Sequence, residues 1–443
     1  MPKLASLHSS RFARPVHAAA AMALCTSVAA PAFAKPALDM GPYIPFCDAE
    51  SAIVRLRTTE PTRATLSVRG PGGTERSLPS TGARFHEFRL RDLKAGTAYP
   101  YEVLIDGAFA ARGTLTTAPV DGSKPWSFVL YGDSRTDHAA HQSVAQAIDQ
   151  VPGQFLLHTG DVVSRGDDDE AWRRFFAIEA GLLRDRPLFV TLGNHDMSGR
   201  WKRTREDYQR LFGRPSGRTY FSFRWGNVRF YVLDTMDSFS GAQGEWFRKM
   251  LESNREEAGV EHRFVSLHHG PFSSGPHGPN ERFIDDGLLD ALRDGGVELV
   301  MSGHDHLYER GEVGALKYIV SGGAGAPLYE ASRPERPSKR LSVHHFVHVL
   351  VEGARVTTTT RDAAGRIIER CSFESGEAWS CDPQVVAPLY RGTPAMPSRS
   401  RTRCGCSVPG HTDGQEPGWW IAALWGLVWA FRRRRASARN AAS

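Results

Sequence analysis

Five apolar runs, far apart in the chain, each stop at residues able to bind a metal or a phosphate. WSFVLYGDSR stops at Asp133, QFLLHTGD at Asp161, and PLFVTLGNHD at Asn194, His195 and Asp196. HRFVSLHHG stops at His268 and His269, and VELVMSGHDH at His304 and His306. These buried-looking runs alternate with helix-like stretches such as HQSVAQAIDQV, EAWRRFFAIEAGLL and QGEWFRKMLESN. The alternation predicts an α/β unit over residues 125–375. Open α/β sheets bind ligands beyond the carboxyl ends of their strands, so such a fold brings all five polar ends to one place. His304 and His306 are two residues apart, and extended backbone points both imidazoles the same way.

The donor types narrow the chemistry. The set holds imidazole, amide and carboxylate groups and no cysteine. Mixed nitrogen and oxygen donors suit zinc, iron or manganese. They are too many for a single catalytic ion that keeps an open position. Two ions bridged by one aspartate would use them, and paired ions support in-line displacement at phosphorus.

The order Asp133, GD at Asp161, GNHD at Asn194, HH at His268 and GHDH at His304 resembles the calcineurin-like metallophosphoesterases. TYFSFRWGNVRFYVLDT, QGEWF, GHDHLYER and VSGGAGAPLY look most like the purple acid phosphatase branch, and the likeness spans about residues 40–370. The resemblance implies a sandwich of two mixed β-sheets flanked by helices, holding two iron, zinc or manganese ions. Asp161 would bridge them. Asn194, His268 and His304 would complete one half, with Asp133 and His306 in the other. His268 is preferred to His269 from the register of HHGPFSS, and His269 stays open.

Two positions depart from the family pattern. Arg135 stands where the wider superfamily has histidine, and Ser164 where the purple branch has tyrosine. The first half is therefore short of donors, and no tyrosinate charge-transfer colour is expected. His141, at a helix start, is a candidate replacement ligand or else a solvated helix residue, with His138 a weaker candidate. Arg135 is expected either to clamp a phosphate oxygen with its planar fork or to form a structural ion pair. His195 would contact the phosphate or protonate the leaving alkoxide, with Asp196 orienting its ring. His277, nine residues beyond His268, is a substrate histidine or an exposed loop residue. The implied reaction is phosphate-ester hydrolysis by a metal-bound hydroxide, in phosphomonoesterase form. The alternatives are diester hydrolysis on nucleotide or lipid-headgroup substrates, and a metal-depleted surface binding protein.

Residues 40–118 read as short alternating strands split by turns, which predicts a β-sandwich. LKAGTAYPYEV there resembles the corner of fibronectin type III-like domains. Residues 1–34 read as an export signal, with Lys3, Arg11 and Arg14, an alanine-rich run and an AFA cleavage site. After a linker over 376–403, residues 404–443 hold Cys-Gly-Cys, a thirteen-residue apolar block from Trp419 to Phe431 and Arg432 to Arg435. That block is short of the ~20 residues of a spanning helix. The layout resembles the myxobacterial C-terminal sorting signal, which implies membrane contact through the tail before processing, a sorting protease and a cell-surface location. The formal charge of +6 lies entirely in these two ends, so no nucleic-acid partner is expected. Cys47, Cys371 and Cys381 remain between them; Cys371–Cys381 is the first choice of disulfide, with a pairing that includes Cys47 left open.

Overall fold

The computed structural model describes residues 37–385, apart from 215 and 333–337. The export and sorting signals read from the sequence lie outside the described residues.

The amino-terminal strands are β1 (Leu38–Cys47), β2 (Ala52–Arg69), β3 (Glu75–Leu90), β4 (Ala98–Ile105) and β5 (Ala108–Thr116). A two-sheet sandwich was expected; the five strands instead form one hydrogen-bonded sheet. β3 pairs with β2 along nearly its whole length. β1 pairs with the first part of β2 and β4 with the last, and the register shifts between them, from Arg57 to Arg63. The sheet is fixed to the rest of the molecule by buried polar contacts. Arg55 donates to the carbonyls of Leu211 and Gly213 at 2.8 and 3.0 Å, and Arg214 donates to that of Pro45 at 2.7 Å. The Arg214 guanidinium also lies over the rings of Phe46, Phe189 and Phe221, which suits its flat, weakly hydrated cation.

The α/β unit follows in two stretches. The first holds β6 (Trp126–Tyr131), α1 (His138–Asp149), β7 (Leu156–His158), α2 (Asp169–Ile178), α3 (Ala180–Leu183), β8 (Leu188–Val190) and α4 (Trp201–Phe212). The second holds β9 (Phe221–Trp225), β10 (Val228–Leu233), α5 (Ala242–Ser253), β11 (His262–Leu267), α6 (Glu281–Asp285), α7 (Leu288–Asp294), β12 (Leu299–Ser302), β13 (Tyr308–Val313) and β14 (Leu316–Ser321). β15 (Ser338–Leu341), β16 (His345–Glu352), β17 (Arg355–Asp362), β18 (Ile367–Glu374) and β19 (Ser380–Cys381) close the fold.

These strands make two seven-stranded mixed sheets, ordered β19-β18-β17-β16-β6-β7-β8 and β15-β13-β14-β12-β11-β10-β9. Strands β6, β7, β8 and β12 are buried at every position, which explains their unbroken apolar sequences. Phe128, Phe155, Phe189, Phe223, Phe230 and Phe264 belong to the core between the sheets; Phe189 and Phe223 stack at 3.8 Å between ring centroids. Apolar faces of α1 and α2 join a second core, and those of α5 and α7 a third. The expected sandwich of two mixed sheets flanked by helices is present. It runs further than expected, because β19 pairs with β18 and carries the Cys371–Cys381 disulfide into the region read as linker. Cys47 is buried and free.

Candidate metal centre

Every expected strand end reaches one place, and the backbone is bent to do it. Asp133, Asp161 and His304 have φ of 57°, 55° and 71°. Non-glycine residues in this left-handed region are uncommon and cluster where function over-determines the backbone. The glycines before the ligands allow close approach. A Cβ on Gly193 would meet Asp161 Oδ1 at 2.3 Å, and one on Gly303 would meet Asp133 Oδ2 at 2.4 Å. The recurrent glycine-then-ligand grammar is therefore steric.

One half of the centre is made by Asp161, Asn194, His268 and His304. His268 is fully buried, and its Nδ1 lies 2.8 Å from the Thr159 carbonyl. A carbonyl only accepts, so Nδ1 carries the proton and Nε2 presents a lone pair. That lone pair faces two other acceptors, Asn194 Oδ1 at 3.2 Å and Asp161 Oδ1 at 3.4 Å. Three acceptors converging without a shared proton call for a cation, so this half fits a metal ion. His304 stands beside His268 with ring centroids 5.2 Å apart. His269, the alternative ligand, is held at Nδ1 by Thr235 Oγ1 at 2.7 Å, with its ring 4.0 Å from that of His304. One donor atom from each of His268, His269 and His304 falls within a 4.8 Å cluster. Burial, then the neighbouring imidazoles, pushes His304 far below the usual histidine range and His269 down to about 3. These rings are neutral donors over the whole physiological range.

The other half is built differently. Asp133 Oδ2 accepts from the His304 backbone N–H at 3.0 Å. Its buried Oδ1 has no hydrogen-bond partner and lies 3.5 Å from His306 Nε2. Burial, then Asp161, holds the Asp133 carboxyl well above the usual range. Arg135 was expected to aim its fork at a phosphate. Its Nε instead donates to Asp161 Oδ2 at 3.1 Å, and its Nη2 to His306 Nε2 at 3.2 Å. This is the ion-pair arrangement, formed with two of the expected ligands.

Two further expectations are corrected. His141 is neither a ligand nor solvated: it is 2% exposed, and its Nε2 lies 2.8 Å from the buried Glu179 Oε1. Glu179 Oε2 in turn accepts from the Tyr131 hydroxyl at 2.7 Å. The helix that carries His141 turns the ring into the core behind the site; His138 is exposed. Asp196 does not orient His195. Its two oxygens accept four backbone N–H groups, from Asp161, Val162, Val163 and Gly193, at 2.9–3.2 Å. It shapes the loop that bears Asp161. The His195 ring is set by the Ser164 carbonyl, 3.0 Å from Nδ1, which leaves Nε2 on the site side, 4.0 Å from Asp161 Oδ2. His277 is exposed at the mouth, its ring 4.2 Å from that of His304. Sequence reasoning missed Thr235, and also Tyr329, whose ring stacks on His306 at 4.1 Å. Neither lies at a strand end with a recognisable donor pattern.

Residues 131–308 match the calcineurin-like phosphoesterase family, and residues 35–120 match a domain of unknown function, DUF7800. The chain is 26% identical over 277 residues to an uncharacterized protein of Mycobacterium tuberculosis, covering 52% of this chain and 51% of that one. It is 25% identical over 298 residues to purple acid phosphatase 7 of Arabidopsis thaliana, covering 58% of this chain and 88% of that one. Identity to the Fe(3+)-Zn(2+) purple acid phosphatase 12 of the same plant is 25% over 287 residues, covering 59% and 60%. A purple acid phosphatase from yellow lupin seeds shares the fold, with TM-score 0.63 and 16% identity over 76% of this chain and 74% of that chain. Residues 131–308 are thus similar to the calcineurin-like phosphoesterases, and purple acid phosphatases are among the proteins this chain resembles.

Proposed function

We propose that this chain is an exported, metal-dependent phosphoesterase that hydrolyses phosphate monoesters in the manner of an acid phosphatase. The observation that carries the reading is the convergence of His268 Nε2, Asn194 Oδ1 and Asp161 Oδ1, three acceptors that need a cation between them. Asp161, Asn194, His268 and His304 would hold an iron, zinc or manganese ion, which supplies Lewis acidity toward a phosphoryl oxygen and acidifies a water.

The chain's own residues supply the rest. Asp196 fixes the Asp161 loop through four N–H contacts, so the carboxylate is held in place before substrate arrives. The Ser164 carbonyl accepts a hydrogen bond from His195 Nδ1–H, which aims Nε2 at the site. From there His195 would act as the general acid, giving a proton from Nε2 to the departing alkoxide. His277 and His269, on the His304 side, line the approach for the phosphate oxygens. The Cys371–Cys381 disulfide supports export, because such bonds persist in oxidising compartments. The Cys-Gly-Cys tail would contact the membrane until a sorting protease removes it, leaving the enzyme at the cell surface.

The purified protein, with and without a chelator, should be assayed on p-nitrophenyl phosphate and on bis(p-nitrophenyl) phosphate. Chelator-sensitive turnover of the monoester in preference to the diester is expected. Preference for the diester would move the enzyme to the phosphodiesterases, and no turnover together with no bound metal would leave a metal-depleted binding protein.

A further inference from the structure

We infer that the Arg135 guanidinium is the fixed cation of the Asp133 half, so that this chain binds one metal ion where its resemblance to the purple acid phosphatases implies two. The inference rests on the metal-dependent reading above and concerns how many ions that reading needs.

The Asp133 half offers three donors: Asp133, Asp161 Oδ2 and His306 Nε2. One side chain engages two of them, Nε–H on Asp161 Oδ2 at 3.1 Å and Nη2–H on His306 Nε2 at 3.2 Å. The sense of the second bond is fixed. His306 Nδ1 lies 2.7 Å from the Pro327 carbonyl, so it carries the proton and Nε2 carries the lone pair. That is the lone pair a metal would use. The Arg135 side chain is only 12% exposed, and its Nη1 donates to Thr136 Oγ1 at 3.3 Å. Its fork is thus turned onto the ligands.

The two departures from the family pattern fall in this same half. Position 135 has lost a donor and gained a cation. Position 164 has a serine whose Oγ is 3.3 Å from Thr136 Oγ1, in contact with the arginine's own neighbour. A guanidinium keeps its charge at every working pH and presents rigid N–H groups to carboxylate and imidazole. It replaces the electrostatic part of a metal and none of its Lewis acidity. Asp133 Oδ1 is the counterweight: buried, without a partner, and 3.5 Å from His306 Nε2. It makes this half a place that admits a second ion once the guanidinium is withdrawn.

The test is a count with a spectroscopic signature. The full-length protein is loaded with Mn²⁺, desalted, and examined by metal analysis and low-temperature electron paramagnetic resonance. Wild type is expected to hold about one Mn²⁺ with the spectrum of an isolated ion, and Arg135→His about two, with the spectrum of an exchange-coupled pair. Arg135→Lys, which keeps the charge, should stay near the wild-type count, and thermal melting confirms that each variant is folded. A coupled pair in the wild type overturns the inference and leaves the metallophosphoesterase standing. A folded Arg135→His that still holds one ion also overturns it. No Mn²⁺ in either protein overturns both this inference and the metal-dependent reading.

Discussion

The two halves of the centre are built from the same kind of strand end and solve the same electrostatic problem in opposite ways. In the Asn194 half, His268 Nε2, Asn194 Oδ1 and Asp161 Oδ1 face one another with no donor between them. In the Asp133 half, the lone pairs of Asp161 Oδ2 and His306 Nε2 already face N–H groups of Arg135. The first arrangement is repulsive until a cation arrives from solution. The second is satisfied by a cation that the backbone carries. Motif membership alone does not tell the two apart, and the carbonyls of Thr159 and Pro327 leave both His268 and His306 with a lone pair on Nε2; the Arg135 guanidinium is what separates them.

The strongest way to break the contrast is to remove a ligand from the Asn194 half. His268→Ala or Asn194→Ala should abolish metal binding and reduce kcat/KM well beyond the ~10–100-fold that outer-shell partners cost. Full metal content in either variant would sink the assignment. On the other half, Arg135→Ala should reduce kcat/KM by roughly 10–100-fold, because it releases Asp161 Oδ2 and His306 Nε2, which the guanidinium holds. Arg135→Lys should recover only part of that rate, because the fork is lost.

His141→Ala separates structure from chemistry. It strands Glu179 in the core, so unfolding in urea should show a loss of about 3 kcal/mol. The metal content should not change, and a lost ion would restore His141 to the ligand shell. The smallest effect is expected at Thr235→Val, which frees the His269 ring held at 2.7 Å. A decrease in kcat/KM of roughly 10-fold, with the metal count unchanged, would mark Thr235 as a positioning residue. An unchanged kcat/KM would mark the contact as packing only.

Acidity sharpens the contrast further. Burial first, then the Arg135 charge, holds His306 at about 4, against a Pro327 contact that raises it. A histidine with a lowered pKa takes up a proton only when pH falls below that value. The Arg135 Nη2–H bond to His306 Nε2 should therefore persist as pH falls to about 4 and break below it, followed through the His306 imidazole signals in an NMR titration. Loss near the ordinary histidine range of ~6.5 would show that the rings are less enclosed than the fold makes them.

The ligand set was legible in the sequence because each donor directly follows an apolar strand, and strand ends in such sheets converge by topology. Partners supplied from elsewhere were not. Nothing near His141 announces Glu179, 38 residues on, and nothing near Asp196 announces the four N–H groups it collects. Arg135 was legible as a cation beside the site, but which way its fork turns depends on His306, 171 residues later. The amino-terminal strands were read correctly as strands. Their arrangement was not, because alternation tells which face is buried and not whether β2 serves one sheet or two.

The sheet order has a consequence for how the protein is made. β6, which leads into Asp133, pairs on one side with β7 and on the other with β16, so Leu130 meets Val347 only after most of the chain exists. Closing so long a loop is slow, because its entropy is lost before any contact compensates for it. A chain emerging from its amino terminus therefore exposes Asp133 long before β16 arrives beside β6. Asp161 is held earlier, by Asp196 and by β7 between its near neighbours β6 and β8, so the first carboxylate to be synthesised is the later of the two to be locked in place. The order of events this imposes is folding before metal capture.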